Sequence, residues 1–529
     1  MGNMTLMQKQ HGDIFLSSSA LDRLNLYSVI RQLRLVQSPV DERLAAQKTG
    51  APLVKEVNLR QVANLTGRNY GSIYNIYNDL LAVLGSMVAT KHAPLTELFA
   101  VPEGQLRFHM IAQTDPFRFL QAVMSGEYQQ FEDFVASLGM SRMTVTRHLR
   151  PMRELAQTFG VQLQPDTLSF NGDERRLRLF VTMMFWQATA GAKWPFTHLS
   201  RETAERLVDT LYTALDSEPT NLVARELSMY YLAICYWRIK TGHILTYERS
   251  RAIMDYPLPN LDLALGHGRF KDFALPPMSR QQLMGETEYG FFLMHFAPVY
   301  LVSNDQNAAT TIERFRRYAS GMYQLVTHFV QSFPEWSQDL TEGQQQLLTV
   351  NLLAITCGTL ALGEDFHQHV AYTFNRRLSA QADDPRYERV IRQTITQVVL
   401  SDHLEQYIDR IDSLTENYYR NLLQLRAAFH PQRVVRVALV LDQTTLEYVD
   451  LIAMLSQQAF VELLPSSADL IDADLVIQSG SLPLPLPAGV ADFEWTPNAT
   501  ADRFGELFAV LVSLWRHKRA GAVDSQRRA

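Results

Sequence analysis

Residues 140–155, MSRMTVTRHLRPMREL, hold four arginines, Arg142, Arg147, Arg150 and Arg153, in a chain whose 49 Lys and Arg against 55 Asp and Glu give a formal net charge of -6. Positive charge gathered locally in a mildly acidic chain points to a contact surface for a phosphate-bearing polymer. Val145 and Leu149 are four residues apart, so they share a helix face and can anchor it to a core. At about 100° per residue the opposite face presents Met143, Arg147 and Arg150, with Thr146 at its edge. Arg142 projects nearer the anchor, but from the first turn its long side chain can still reach a phosphate. Arginine suits phosphate oxygens and guanine edges, and threonine suits phosphates and thymine methyls. A solvated basic face on a structural helix is the plainer explanation of such a run. The residues in front of it, FEDFVASLG, argue otherwise. Ala136 permits close helix approach, Gly139 a tight turn and Ser141 a cap, in the order a helix-turn-helix requires. Pro151 is expected to end or kink this helix, leaving Arg153 to whatever follows.

A second, weaker unit is LRQVANLTGRNYGSIYNIYNDLLAVLG, a short helix, a break at Thr66-Gly67 and a longer helix with Ile73, Ile76, Tyr77 and Leu80 inward. Arg68, Ser72, Asn75 and Asn78 would face outward. Between Leu59 and Leu84 the charges are Arg60, Arg68 and Asp79, a balance of +1, so DNA contact and a supporting or dimerising role both fit. Histidines form the other reactive set: His198 in GAKWPFTHLS, His243, and then His328, His367, His369 and His403. A neutral imidazole nitrogen can accept a phosphoryl group, although a lone helical histidine is usually structural. His367 and His369, two positions apart on a helix, point in different directions and lack a third metal ligand.

No phosphate-binding glycine loop, nucleophile elbow, zinc set or other catalytic signature is present, and no cofactor is expected. Cys235 and Cys357 sit in separate apolar runs, as buried thiols in a reducing cytoplasm would. The N-terminus lacks a secretory pattern. The uncharged run Gly343 to Gly363 is polar enough to be a buried bundle helix, so no membrane association is expected.

The elements that must position these residues follow from periodicity. At 529 residues the chain needs several cores. Helical patterning opens it, with Leu26, Val29, Ile30 and Leu33 on one face. After Gly160 the period becomes alternating, Val161 and Leu163, a Pro165-Asp166 turn, then Leu168 and Phe170, which is a wing-like hairpin. Amphipathic helices fill Gly172 to about His430, broken most clearly around Pro257, Pro259, Pro276 and Pro277, so two helical bundles are expected. From Arg433 the runs RVVRVALVL, FVELLP and ADLVIQSG read as strands around a helix, with a last helix near Asp502 to Trp515: a small α/β domain with a largely parallel sheet. The loop Asp442-Gln443-Thr444-Thr445 follows the first of these strands, where such a domain places ligands.

FEDFVASLGMSRMTVTRHL, the following hairpin, LSFNGDERRLRLFVTMMFWQ and the WPF at Trp194 to Phe196 together resemble the Mga/AtxA group of virulence regulators from Gram-positive bacteria. The resemblance implies a mainly α multidomain protein with helix-turn-helix domains at 1–90 and, winged, at 91–171. Two regulatory bundles similar to those of phosphotransferase-controlled regulators (PRD-like) would cover 172–275 and 276–430, and an EIIB-like α/β domain 431–529. It further implies a cytoplasmic DNA-binding transcription regulator, an activator rather than an enzyme, acting on promoter DNA as a homodimer joined through the C-terminal domain. A phosphocarrier of the sugar phosphotransferase system would modify it at His198 and at His367 or His403. Asp442 to Thr445 lacks the cysteine of catalytic EIIB proteins, which favours oligomerisation over phosphoryl relay. The alternatives from other classes are a phosphocarrier or sensor that does not touch DNA, and a helical scaffold.

Overall fold

The structure, a computed structural model, describes residues 13–49, 53–88, 90, 92–214, 222–249, 252–254, 275–297, 306–333, 340–363, 384–429, 434–441, 448–465, 468–479, 486–487, 489–496 and 499–526. It divides into two compact units, one of Met1–Leu33, Val54–Ala380 and Asp384–Arg420, the other gathering Arg34–Leu53 with Asn421–Ala529.

Capping residues and glycine stops set the first helices of the chain. α1 (Ser18–Gln37), α2 (Val40–Thr49), α3 (Leu59–Thr66) and α4 (Tyr70–Met87) come first. The Asn58 and Asn69 side chains accept hydrogen bonds from the backbone N–H of Gln61 and Ser72, and Gly67 ends α3 in the left-handed region at φ +66°. α5 (Leu95–Leu98), α6 (Glu103–Ile111), α7 (Asp115–Ser125), α8 (Phe131–Ser137) and α9 (Arg142–Thr158) follow. The expected hairpin is β1 (Gln162–Gln164) paired antiparallel with β2 (Ser169–Asn171), Leu163 opposite Phe170, across a 3₁₀ turn at Pro165–Thr167.

The expected division at residue 171 carries no loose linker. α10 (Glu174–Thr189) leaves β2 directly and packs against α6. An aromatic chain crosses the division, with ring centroids 5.7 Å apart for Phe170 and Phe180, 5.5 Å for Phe159 and Phe180, and 6.0 Å for Phe117 and Phe185. α11 (Arg201–Ala214) and α12 (Leu222–Lys240) complete a three-helix layer with α10. The Pro-rich break expected to separate the bundles lies mostly outside the described residues. α13 (Arg280–His295), α14 (Gln306–Tyr318), α15 (Ser320–Ser332), α16 (Glu342–Leu362), α17 (Pro385–Ser401) and α18 (Ile411–Phe429) supply the second layer. α16 is the described helix long and apolar enough to cross a bilayer, yet 78% of that stretch is buried. It is the central helix of a bundle. Burial also pushes the Cys235 thiol up to about 12 and raises Cys357 further, so neither is a ready thiolate at neutral pH.

A buried ionic cluster fastens the layers. Arg178 of α10 is 1% exposed. Its guanidinium makes two bonds to Glu286 of α13, at 2.6 and 2.8 Å, one to Glu174 at 2.9 Å and one to the His243 carbonyl at 2.8 Å. Arg238 of α12 donates twice to Glu174, at 2.9 and 2.7 Å. Two cations meet two anions, so the cluster is neutral. A parallel pair joins Arg175 to the fully buried Glu288, whose carboxylate also accepts the Ile253 backbone N–H at 2.8 Å. Gly285 lets α13 approach this closely: a Cβ there would lie 2.7 Å from the Leu245 carbonyl oxygen.

In the second unit β3 (Val435–Val440), β4 (Val461–Leu463), β5 (Leu475–Gln478) and β6 (Ala491–Glu494) form an all-parallel sheet ordered β4-β3-β5-β6. α19 (Val449–Ser456) and α20 (Ala501–Gln526) accompany it. Tyr448, Leu451, Leu455, Trp495, Leu507 and Leu511 close its core against the apolar faces of the strands. The parallel α/β domain was expected, whereas β6 was not read as a strand. The Asp442 to Thr445 loop lies outside the described residues. Arg34–Leu53, assigned from sequence to the first helix-turn-helix domain, groups instead with the C-terminal segment, where Arg43 of α2 pairs with Asp502 at 3.0 Å. α2, VDERLAAQKT, has too few apolar residues to commit it to a helical core.

Removing one member of the central cluster leaves its partner charged and buried. Glu286→Ala is expected to cost about 3–5 kcal/mol. Urea unfolding of the whole chain measures this, and an unchanged midpoint would show that the cluster does not hold the layers.

Candidate nucleic-acid interface

The helix carrying the arginines is held by what lies beneath it. Val145, Leu149, Met152, Leu155 and Ala156 of α9 are buried against α7 and α8, where Phe119, Phe131 and Phe134 pack. The turn into α9 runs through Gly139 at φ +63°, and the Ser141 hydroxyl accepts the Thr144 backbone N–H. Pro151 does not end α9, correcting that expectation: the helix runs unbroken for 17 residues, and Arg153 belongs to it. Proline removes one hydrogen bond to the residue four back. Here both Pro151 and Arg147 are exposed, so water can satisfy the freed carbonyl, while Met152 and Leu155 keep the helix seated.

The basic residues are then sorted by partner. Arg142 lies over the Phe131 ring, 5.4 Å from its centroid, and pairs with Glu132 of α8 and Asp166 of the hairpin turn. It ties helix to wing before it meets any ligand. Arg150 pairs with Glu154 one turn on, at 2.7 Å. All three pairs are exposed, and such pairs are worth only about 0–1 kcal/mol, so a phosphate can displace the carboxylates. Arg147 is exposed and makes no ion pair among the described residues. Met143 is 85% exposed at the helix start, with Thr146 half-buried beside it. His148, which stands between the arginines, bonds through Nδ1 to the buried Asp115 of α7 at 2.6 Å.

In the first unit Ile73, Leu80 and Leu84 of α4 are buried, and Asn75 and Asn78 face solvent with Ser72 half-buried. Arg68 is not a free cation: it pairs with Asp22 of α1 at 2.7 Å. The outward face also carries Tyr70 and Tyr74, stacked with centroids 6.2 Å apart and about half exposed. Their i, i+4 spacing was visible in the sequence, but which face lay outward was not.

The histidines separate just as clearly. The segment leading to His198 is held by Trp194, which donates its indole N–H to the Leu199 carbonyl and packs with Phe196 and Tyr230. Its Nε2 lies 3.0 Å from the Ala233 carbonyl. A carbonyl can only accept, so Nε2 carries the proton and Nδ1 keeps its lone pair. Burial lowers its pKa, which favours the neutral ring. His198 lines a crevice of about 490 Å³ with Arg118, Tyr128, Phe134, Phe185 and Phe196, so it stands beside the helix-turn-helix. His403 is exposed in a left-handed turn after α17, 3.8 Å from Glu405. His367 lies outside the described residues. His328 of α15, named among the histidines but not chosen from sequence as an acceptor, bonds through Nδ1 to Asp402, which leaves Nε2 with the lone pair. The 74 residues separating them hid that pairing. His295 is buried and pushed down to about 4, beside Arg314, as a core residue would be. No cluster of potential metal ligands is found among the described residues.

Residues 104–185, from the first turn of α6 into α10, match the Mga helix-turn-helix domain. The match includes most of α10, the helix whose aromatic residues pack against the helix-turn-helix across residue 171. Over 146 residues the chain is 22% identical to the capsule synthesis positive regulator AcpB of Bacillus anthracis, spanning 28% of this chain and 30% of that protein. The chain therefore matches less than a third of that relative's length. The two findings support the resemblance to Mga/AtxA-like regulators.

The turn supplies a test of this geometry. A Cβ at Gly139 would meet nothing within 4 Å, so substitution carries only the left-handed backbone penalty. Gly139→Ala is expected to cost about 1–2 kcal/mol, with an Ala136→Gly control away from the positive-φ site separating this from general helix weakening. A thermal midpoint for Gly139→Ala equal to that of the native chain would contradict the assigned turn.

Proposed function

We propose that this chain, with its Mga-type helix-turn-helix domain, is a cytoplasmic transcription regulator that binds promoter DNA through α9 and is not an enzyme. The observation that carries the reading is the exposed Arg147, on the face opposite buried Val145 and Leu149. It would enter the major groove flanked by Thr146 and Met143, with Arg150 on a neighbouring phosphate once Glu154 is displaced. Arg142 would brace the wing and reach the backbone only from that position. Asn75, Ser72 and the Tyr70–Tyr74 pair would form a second, less charged contact. The relative's printed description as a positive regulator favours activation here.

Regulation would come from a phosphocarrier of the sugar phosphotransferase system. His198 offers Nδ1 as nucleophile and His328, oriented by Asp402, offers Nε2; His403 is exposed enough to compete, and His367 remains a candidate by region. Transfer from a phosphohistidine breaks one P–N bond and forms another, while the acceptor ring gives up its N–H proton and the departing donor ring takes one up, so no proton is gained or lost overall. A phosphoryl group on His198 would stand in the same crevice as Arg118 of α7, which makes no ion pair among the described residues. That contact would draw the helix-turn-helix toward the first bundle. The parallel sheet supports an EIIB-like C-terminal domain, and its exposed Val449, Ile471 and Phe508 favour homodimerisation through it. The competing reading, a phosphocarrier that does not touch DNA, shares the histidines and differs in the fate of α9.

Two outcomes are expected. Arg147→Ala should cost about 1–3 kcal/mol of promoter binding and relax discrimination between base sequences, with thermal stability unchanged, whereas Arg150→Ala should weaken binding to all sequences alike and reduce the slope of log affinity against log salt by about 1. Retained affinity and discrimination in Arg147→Ala, with an unchanged slope in Arg150→Ala, would remove α9 from the interface. Incubation with phosphorylated carrier should place acid-labile phosphate on the chain, reduced in His198→Ala and in His328→Ala. Because burial keeps His198 neutral, its labelling should fall by less than the roughly threefold loss an ordinary histidine suffers between neutral pH and pH 6. Undiminished label in both variants would exclude these acceptors.

A further inference from the structure

Where the wing, α10 and the second bundle meet, a cavity of about 270 Å³ is lined by Gly160, Asp173, Arg175, Arg176, Gly363 and Arg410. Three arginines around one small polar cavity need an account. Arg175 is neutralised by buried Glu288. The Asp173 carboxylate caps α10, accepting from the backbone N–H of Arg175 at 3.1 Å and of Arg176 at 3.3 Å. Arg176 and Arg410 make no ion pair among the described residues. Counting Arg175 with Glu288 as zero, Arg176 and Arg410 as two positive and Asp173 as one negative leaves an excess of +1 at the cavity.

The site is also shaped around a guanidinium. Cβ atoms built on Gly160 and Gly363 would each lie 3.4 Å from Arg176, from Nη1 and Nη2 respectively, so two glycines from different layers flank it. Arg176 Nη2 donates to the Leu362 carbonyl at 2.8 Å, which fixes the plane of the fork. A half-buried arginine fixed by a neutral acceptor, with the exposed Arg410 also lining the cavity, suits a tetrahedral oxyanion.

We propose that this cavity binds a phosphate group, either free inorganic phosphate or the phosphoryl end of a small metabolite. The ligand is held by Arg176 and Arg410 and opposed by Asp173, which favours an anion able to accept from both forks at once. Because Gly160 follows the C-terminus of α9 and Gly363 that of α16, an occupant links the recognition helix to the second bundle. This site is independent of the histidines and of the DNA contact.

The test is titration calorimetry on the full chain in chloride buffer, with inorganic phosphate and, separately, glucose 6-phosphate. Saturable binding is expected for at least one of them, weakened about tenfold or more in Arg410→Gln, the loss of a charge-assisted bond. Arg410→Lys, which keeps the charge and loses the fork, should also weaken it and serves if the glutamine variant does not fold. Arg147→Gln should leave phosphate binding intact, which separates the cavity from the α9 face. Tighter binding of glucose 6-phosphate supports a metabolite site, and binding of inorganic phosphate as tight or tighter supports a phosphate site. Absence of saturable binding at millimolar concentrations of both, or unaltered affinity in both Arg410 variants, overturns the proposal.

Discussion

The ion cluster around Arg178 is the constraint on which the first unit depends. A buried guanidinium is tolerated only when every charge nearby is matched and its donors are filled. Glu286, Glu174 and the His243 carbonyl do both, and Arg238 balances the second carboxylate. Because these groups come from α10, α12 and α13, the helices cannot slide without exposing an uncompensated charge to an apolar interior. Apolar packing alone would permit several registers of such amphipathic helices; the ion cluster admits very few.

That fixed α10 is also the floor of the helix-turn-helix. Phe180 contacts Phe159 and Phe170, and Phe185 contacts Phe117, so α9 and the wing rest on the same helix that holds the ionic cluster. Anything that alters the bundles has a short mechanical route to α9. The crevice at His198 and the cavity at Arg176 lie on either side of this route, each joining the helix-turn-helix to a bundle. Coupling here needs no long pathway, only a change in how a few buried charges are satisfied.

At the interface, charge is managed rather than accumulated. Arg142 and Arg150 are held by carboxylates in weak, exposed pairs, which restrain the side chains in the absence of a ligand and release them to phosphate at little cost. The mildly acidic whole is thus compatible with a local cationic face. His148, bonded to Asp115, serves the packing of α9 on α7 instead.

Local chemistry was legible in the amino-acid sequence. The anchors Val145 and Leu149, the Gly139 turn, the Ser141 cap, the hairpin about Pro165-Asp166 and the parallel character of the C-terminal domain all follow from periods and caps, because those depend on neighbours a few residues away. Pro151 misled for the same reason: local rules count its missing hydrogen bond but not the burial of Met152 and Leu155 that outweighs it. Pairings across the chain were beyond reach. Arg142 with Asp166, Arg68 with Asp22, His328 with Asp402, and Arg178 with Glu286 join residues whose separation carries no periodic signal. β6, four residues long, is a strand because it completes an edge of the sheet. The sequence by itself determined which segments are helix, wing and sheet, and which residues stand at the surface of α9. Only the tertiary structure decided which arginines are paired, which histidine nitrogen is free and where charge is left unmatched, since electrostatic partners are chosen by distance in space.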